Sequence, residues 1–283
     1  MSGRTVKRKG RTGPIREPAV AGIFYAAQEN TLRGSLDLLG DAGQVSKGKE
    51  RVVAVCVPHG GDTASGEVAA SVYAQVGRAR GAVIIGPRHT QGSSASIVCG
   101  GIWRTPLGKL PVFQELAEAI YKEADGILEK DSGGHRDEHS AEVQLPFLQR
   151  FVGIHWFVPV VLSDKDPLRV GELGRGIARA LRASGENPLL VASVNLSSFE
   201  PLEDVRKKDE TVIRALLGFD EEGFLKTVQR DAIPVCGVQV AAVVMTAARE
   251  LGAGRSRLVS YRTSAQQIGF RDSVMGYAGI IWQ

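Results

Sequence analysis

The sequence predicts an α/β fold: a single domain with a mainly parallel central sheet flanked by helices. Three observations predict it. Val52-Val53-Ala54-Val55-Cys56-Val57 is a continuous apolar run, rich in β-branched residues and stopped by Pro58, the pattern of a strand buried on both faces. Ala82-Val83-Ile84-Ile85 repeats the pattern and stops at Gly86-Pro87. Segments with apolar residues at helical spacing lie between and after these runs, so strand and helix alternate along the chain.

Taken in order, Arg16-Glu17-Pro18-Ala19-Val20-Ala21-Gly22-Ile23-Phe24-Tyr25 opens the folded body as an apolar segment punctuated by Pro and Gly. Residues 28–39 read as an amphipathic helix with Leu32, Leu36 and Leu39 on one face, and 40–50 as a polar loop. The first buried strand then leads to a helix over 65–76, where Val68, Ala69, Val72 and Val76 share a face. After the second strand come an exposed loop at 91–94, short strands over 95–103, a turn at 104–108 and a helix over 113–121. Residues 131–137 are polar and expected to be exposed, and 138–148 look like a helix start. A third strand is expected over 155–162, a helix over 167–183 and a fourth strand over 188–194. Helices follow over 207–217, 221–229 and 236–251, and strands over 257–262 and 274–282 close the chain.

Composition narrows the class. No apolar run approaches the 18 or so residues a membrane span needs, and no signal-peptide pattern opens the chain, so a cytoplasmic protein without a membrane partner is expected. Cys56, Cys99 and Cys236 are odd in number and widely spaced, unlike a secreted disulfide framework, and are expected to be reduced. Of the net charge of +4, five positive charges (Arg4, Lys7, Arg8, Lys9, Arg11) fall in the first thirteen residues, which contain no acid. The body is therefore near −1 (+4 − 5), and residues 1–13 read as a basic, disordered tail ahead of a domain over 14–283. Such a tail could touch nucleic acid or an anionic surface, but a short Gly-interrupted basic N-terminus reads first as disordered, and no nucleic-acid partner is expected apart from it.

The chemistry gathers at strand ends. Ligands of open α/β sheets bind beyond the carboxyl ends of the strands, and His59 and His89 each stand just past such an end. Cys236, between Ile233-Pro234-Val235 and Gly237, reads as the start of a helix, where the positive end of the backbone dipole favours a thiolate. Two imidazoles and a thiolate would make a three-ligand metal site with open positions. The spacings match no local metal signature, and the same residues also fit a structural reading, with loop histidines hydrogen-bonded and Cys236 an inert buried thiol.

Pro58-His59-Gly60-Gly61, Gly86-Pro87-Arg88-His89, Arg104-Thr105-Pro106-Leu107-Gly108, the block Glu138-His139-Ser140-Ala141-Glu142-Val143-Gln144-Leu145-Pro146-Phe147-Leu148, and Val235-Cys236-Gly237 resemble successive motifs of the Memo family, of the AmmeMemoRadiSam system protein B type. The opening segment 16–25 and the closing Asp272-Ser273-Val274-Met275-Gly276-Tyr277-Ala278 match as well. The resemblance implies a fold similar to class III extradiol dioxygenases and one iron or copper ion held by His59, His89 and Cys236, the cysteine standing where those dioxygenases have a carboxylate. It also marks departures. Asn195 and Ser198 stand where an aspartate and a histidine are usual, and Asp62 where a tyrosine is usual. Neither an amide nor a hydroxyl titrates near neutrality; the resemblance places His139 facing the same pocket, where two readings stand: a proton relay oriented by Glu138 or Glu142, and a loop histidine bonded to a carbonyl while Glu138 and Ser140 cap the helix. Carboxylate neighbours would favour its cation. Asn195 then counts among the catalytic candidates, and Asp62 and Ser198 among those that touch substrate. His135 and His155 are expected to be solvated or packed.

Three function classes follow: a metal-dependent redox or oxygenase-like enzyme acting on an unknown small molecule; a non-catalytic protein binding a peptide or anion in the same pocket; and a hydrolase with Cys236 as nucleophile. The third excludes the first, because a metal-bound thiolate is not a free nucleophile.

Overall fold

The computed structural model describes residues 13–42, 51–92, 95–163 and 169–283. The basic tail, apart from Gly13, lies outside the described residues, as do most of the expected 40–50 loop and part of the 91–94 loop. In chain order the elements are β1 (Ile15–Arg16), α1 (Glu29–Ala42), β2 (Ala54–Val57), α2 (Asp62–Tyr73), β3 (Gly81–Pro87), β4 (Ser96–Ile97), β5 (Ile102–Thr105), β6 (Gly108–Pro111), α3 (Gln114–Glu123), β7 (Glu129–Lys130), α4 (Gln144–Phe147), β8 (Trp156–Leu162), α5 (Val170–Ser184), β9 (Leu189–Ser193), β10 (Ser198–Glu200), α6 (Leu202–Gly218), α7 (Glu221–Arg230), α8 (Val238–Glu250), β11 (Ser256–Thr263), α9 (Ala265–Ile268) and β12 (Val274–Trp282).

The main sheet has the order β10-β12-β2-β9-β3-β8-β4-β7, with β11 alongside β12, and β1, β5 and β6 form a small second sheet. Strands β2, β9, β3 and β8 are mutually parallel, whereas β12 and β4 join them antiparallel on either side. The parallel centre is wholly buried along β2, β3, β8 and β9, which is why these strands read as unbroken apolar runs. Helix α8 lies against β2, β3 and β9 with α5 and α7 packed on it, while α2 lies against β2, β11 and β12 with α1 outside it. Trp156 and Trp282 are fully buried in the core. No helix among the described residues is long and apolar enough to cross a membrane.

Register decides where the chemistry sits. Val57 pairs with Ser193 and Ile85 with Ala192, so β2, β9 and β3 end level with one another. His59, His89 and Asn195 therefore emerge from one edge of the sheet.

Three expected elements differ in ways that bear on that edge. The helix expected from residue 138 starts only at Gln144, because the Glu138 carboxylate takes the Ser140 N–H and the Glu142 carboxylate takes N–H groups of Ala19 and Val20, fixing 138–143 as a loop; the helix then widens into a π-helical turn over Leu148–Val152. Cys236 does not begin α8. It precedes the capping residue Gly237, whose φ of +97° a side chain would resist, and pairs with Asn195 in an isolated antiparallel bridge. The loop 131–137 is exposed only in part, since His135 is buried.

Candidate metal centre

His59 stands two residues beyond β2 and is 1 % exposed. Its backbone N–H donates to Asn195 Oδ1 at 2.9 Å, and its Nδ1 lies 3.3 Å from Ser193 Oγ. Ser193 spends its single proton on the Ser140 carbonyl at 2.7 Å and accepts from Gln144 Nε2 at 2.9 Å. Only a lone pair remains for the imidazole, so the His59 proton sits on Nδ1 and the Nε2 lone pair is left free.

His89, two residues beyond β3, is held the same way by a carboxylate. Its Nδ1 is 2.9 Å from Glu138 Oε1 and its backbone N–H donates to Glu138 Oε2 at 2.5 Å; Glu138 also accepts the N–H groups of Thr90 and Ser140. The remaining ring nitrogen, Nε2, is 3.2 Å from Cys236 Sγ, and His59 Nε2 is 3.5 Å from the same sulfur. Cys236 is fixed through its backbone, donating to Asn195 O at 3.0 Å and accepting from Asn195 N at 3.2 Å. Three distant chain segments thus bring two imidazole nitrogens and a thiol sulfur together, which is why no local spacing announces them.

His139 completes the cluster. Its ring centroid is 4.3 Å from that of His89 and 5.7 Å from that of His59, and Phe24 packs edge-on against it at 4.9 Å. One nitrogen from each of His59, His89 and His139 lies within 4.8 Å of the others, a group able to hold a metal ion. The sulfur fits too: an ion with nitrogen at about 2.0–2.1 Å and sulfur at about 2.3 Å in tetrahedral arrangement sets N···S edges of about 3.5 Å, close to the two observed. The donor set, imidazole with thiol, suits iron, copper or zinc and not a hard cation.

Electrostatics divide the histidines. Burial drives His59 well below its ordinary pKa, with the charge on His89 adding to the effect. Burial also lowers His89, but hydrogen bonds to Cys236 and Glu138 outweigh it and lift the group to about 10. Burial raises Glu138, yet the His89 and backbone donors leave it well below the usual carboxylate range. Contrary to the expectation of a cation favoured by carboxylates, burial and the charge on His89 hold His139 down to about 4. It is a neutral imidazole near pH 7.

The other predicted residues fall as follows. Asn195 sits between His59 and Cys236 and bonds to both. Ser198 Oγ donates to the Leu196 carbonyl at 3.3 Å. Asp62 begins α2, with its carboxylate 3.5 Å from Ser35 Oγ on α1 and its pKa pushed up to about 6 by burial. Glu138 approaches His139 Nδ1 at 3.5 Å, whereas Glu142 is turned to other partners. His135 packs edge-on to Trp103 with Nε2 3.2 Å from Ser96 Oγ, and His155 is exposed ahead of β8.

Sequence reasoning missed the supporting shell. Ser193 and Gln144 fix the His59 tautomer, and Glu142 anchors the opening segment by accepting from Arg16 Nη1 at 2.5 Å, Tyr25 OH at 2.6 Å and the N–H groups of Ala19 and Val20. A signal for Ser193 was available: it is a lone hydroxyl at the tip of an otherwise apolar central strand.

Comparison with known proteins places these features in a family. A family model described as Memo-like protein matches residues 16–281. A MEMO1 family protein of Methanopyrus kandleri is 35 % identical over 280 residues, covering 95 % of this chain and 99 % of its own. Another, from Methanosarcina barkeri, is 38 % identical over 270 residues, covering 94 % and 99 %. Among solved structures, an uncharacterised protein of Escherichia coli K12 matches with a TM-score of 0.52 at 15 % identity, over 80 % of this chain and 99 % of that one, a likeness of fold alone.

Proposed function

This chain belongs to the Memo-like family, and we propose that it is a redox protein that holds one iron or copper ion at the His59, His89 and His139 cluster, with Cys236 in place of the third nitrogen because its sulfur lies within hydrogen-bonding reach of the other two rings, and acts on a small-molecule ligand there. The observation that carries the reading is the shared aim of the two Nε2 atoms: each imidazole is bonded through Nδ1 to a fixed partner, Ser193 or Glu138, and turns its other nitrogen toward the Cys236 sulfur. Outer partners of this kind fix the tautomer and raise the basicity of metal-bound histidine.

When bound, such an ion supplies a Lewis acid and an electron donor or acceptor. The protein's own groups do the rest. His139, beside His59 and His89 with Phe24 packed against its ring, is the group read here as the proton relay. Asn195 keeps the loops of His59 and Cys236 in register.

A second reading has a specific observation in its favour. Asn195 and Ser198 provide neither acid nor base at the strand end, which suits a non-catalytic protein that binds a peptide or anionic ligand in the same place.

Metal analysis of protein purified without added metal separates these readings. About one equivalent of iron or copper, lost in both His59→Ala and Cys236→Ser, is the expected result. Metal-free protein that still binds ligands supports the second reading. Alkylation of Cys236 at an undiminished rate in the presence of metal would show a free nucleophile and contradict the first.

A further inference from the structure

The sulfur of the cluster is placed differently from its nitrogens. Each of the His59 and His89 rings has its own side-chain partner, Ser193 or Glu138, whereas Cys236 is held by the two backbone bonds it exchanges with Asn195. Where the sulfur stands relative to the two Nε2 atoms therefore depends on what fixes the segment that follows β9.

That segment is tied to β12 and to α6. The Leu196 N–H donates to the Gly276 carbonyl at 3.0 Å, and the Gly276 N–H donates to the Ser197 carbonyl at 2.9 Å. The Ser197 N–H goes to Asp209 Oδ1, on α6, at 2.9 Å, and the other carboxylate oxygen, Oδ2, accepts from Tyr261 OH, on β11, at 2.8 Å. Ser197 and Asp209 are both fully buried, so this carboxylate is the acceptor that keeps a buried backbone donor satisfied. Burial raises the Asp209 pKa, and the bonds from Ser197 and Tyr261 oppose the rise. The fit is close. A Cβ on Gly276 would lie 1.6 Å from Asp209 Oδ2, so the carboxylate rests against bare backbone of β12 that only glycine provides. The bonds of Asp209 end at Ser197, two residues from the partner of Cys236, and serve no group in the proposed chemistry directly.

We infer that Asp209 is a positioning residue for the metal centre: by holding the Ser197 N–H it seats residues 195–197 against β12 and so sets, through Asn195, where the Cys236 sulfur stands relative to the His59 and His89 nitrogens. The inference rests on the reading of those donors as a metal centre. Tyr261 braces the same carboxylate from its other oxygen and supplies the control.

The test titrates the full chain with cobalt(II), whose visible bands report the bound ion and whose thiolate charge-transfer band reports the sulfur. Asp209→Ala removes the acceptor; cobalt(II) affinity is expected to fall about tenfold or more, and the charge-transfer band per bound ion to fall with it. Asp209→Asn keeps an oxygen for the Ser197 N–H and is expected to restore most of both. Tyr261→Phe removes a buried bond to the same carboxylate and is expected to lower stability to urea while leaving cobalt(II) affinity and the band close to wild type. Where Asp209→Ala does not fold, Asp209→Ser, whose hydroxyl ends one bond short of the carboxylate oxygens, carries the same expectation. Wild-type affinity and band in the Ala or Ser variant overturn the inference, and so does an equal loss in Asp209→Asn or in Tyr261→Phe, the latter marking a merely structural role. Wild-type protein that takes up no cobalt(II), or binds it with no thiolate band, overturns the metal-centre reading and the inference together, whereas a normal wild-type band that survives loss of Asp209 overturns the inference alone.

Discussion

At the scale of single residues, Glu138 has the most to do. One carboxylate orients the His89 ring, holds the His89 and Thr90 backbone and closes the turn to Ser140. Glu138→Gln keeps the volume but places an NH2 against donors, so metal affinity is expected to fall about 10–100-fold in a chelator competition. An unchanged affinity would show that His89 does not depend on it. Asp62 tests a different physics. Burial raises its folded pKa to about 6 from an unfolded value near 3.8, so the stability its protonated form contributes is complete below pH 3.8 and lost as pH rises through 6. Asp62→Asn should therefore be more stable than wild type at pH 7.5, by about 1–3 kcal/mol in urea unfolding, with the difference closing toward pH 4. A gain that does not change with pH would show that ionisation is not its source.

At the scale of elements, the strand tips were legible and their supports were not. Apolar runs stopped by Pro58 and by Gly86-Pro87 mark where His59 and His89 leave the sheet, and β2 and β3 end there, level with each other because register aligns the strand ends. The segment 138–143 looks like a helix start in sequence but is a loop, since the sequence shows polar residues ahead of an apolar run and not the backbone donors that its two glutamates collect. For the same reason the Ser193–Gln144 contact, made across 49 residues, leaves no trace in local pattern. The end of β3 also meets this loop closely: a Cβ on Gly86 would lie 2.3 Å from Ser140 Oγ and 2.7 Å from Ser140 Cβ. Gly86→Ala is expected to cost about 1–3 kcal/mol by overpacking and to lower metal content, measured by thermal unfolding and metal analysis. Wild-type values for both would show that the loop yields freely.

At the scale of the whole molecule, the opening segment 16–25 is a strap closed on the site from outside the main sheet. Arg16 stacks over Trp103 at 4.0 Å and joins Glu142, Tyr25 reaches the same carboxylate, and the Phe24 carbonyl accepts the Asp62 N–H. Glu142→Ala leaves the buried ends of this arrangement unpaired and is expected to cost about 3–5 kcal/mol, with protease cleavage appearing within 16–25. The family resemblance, carried by motifs spread from residue 16 to the C-terminus, gave the membership and the ligand candidates that spacing alone left open. What it did not give is how the donors are held. The most direct measurement of the central claim is X-ray absorption at the edge of the bound metal. One sulfur at about 2.3 Å with nitrogen neighbours at about 2.0–2.1 Å, and loss of that sulfur in Cys236→Ser, is the predicted result; a bound ion with no sulfur neighbour in the wild-type protein would contradict it.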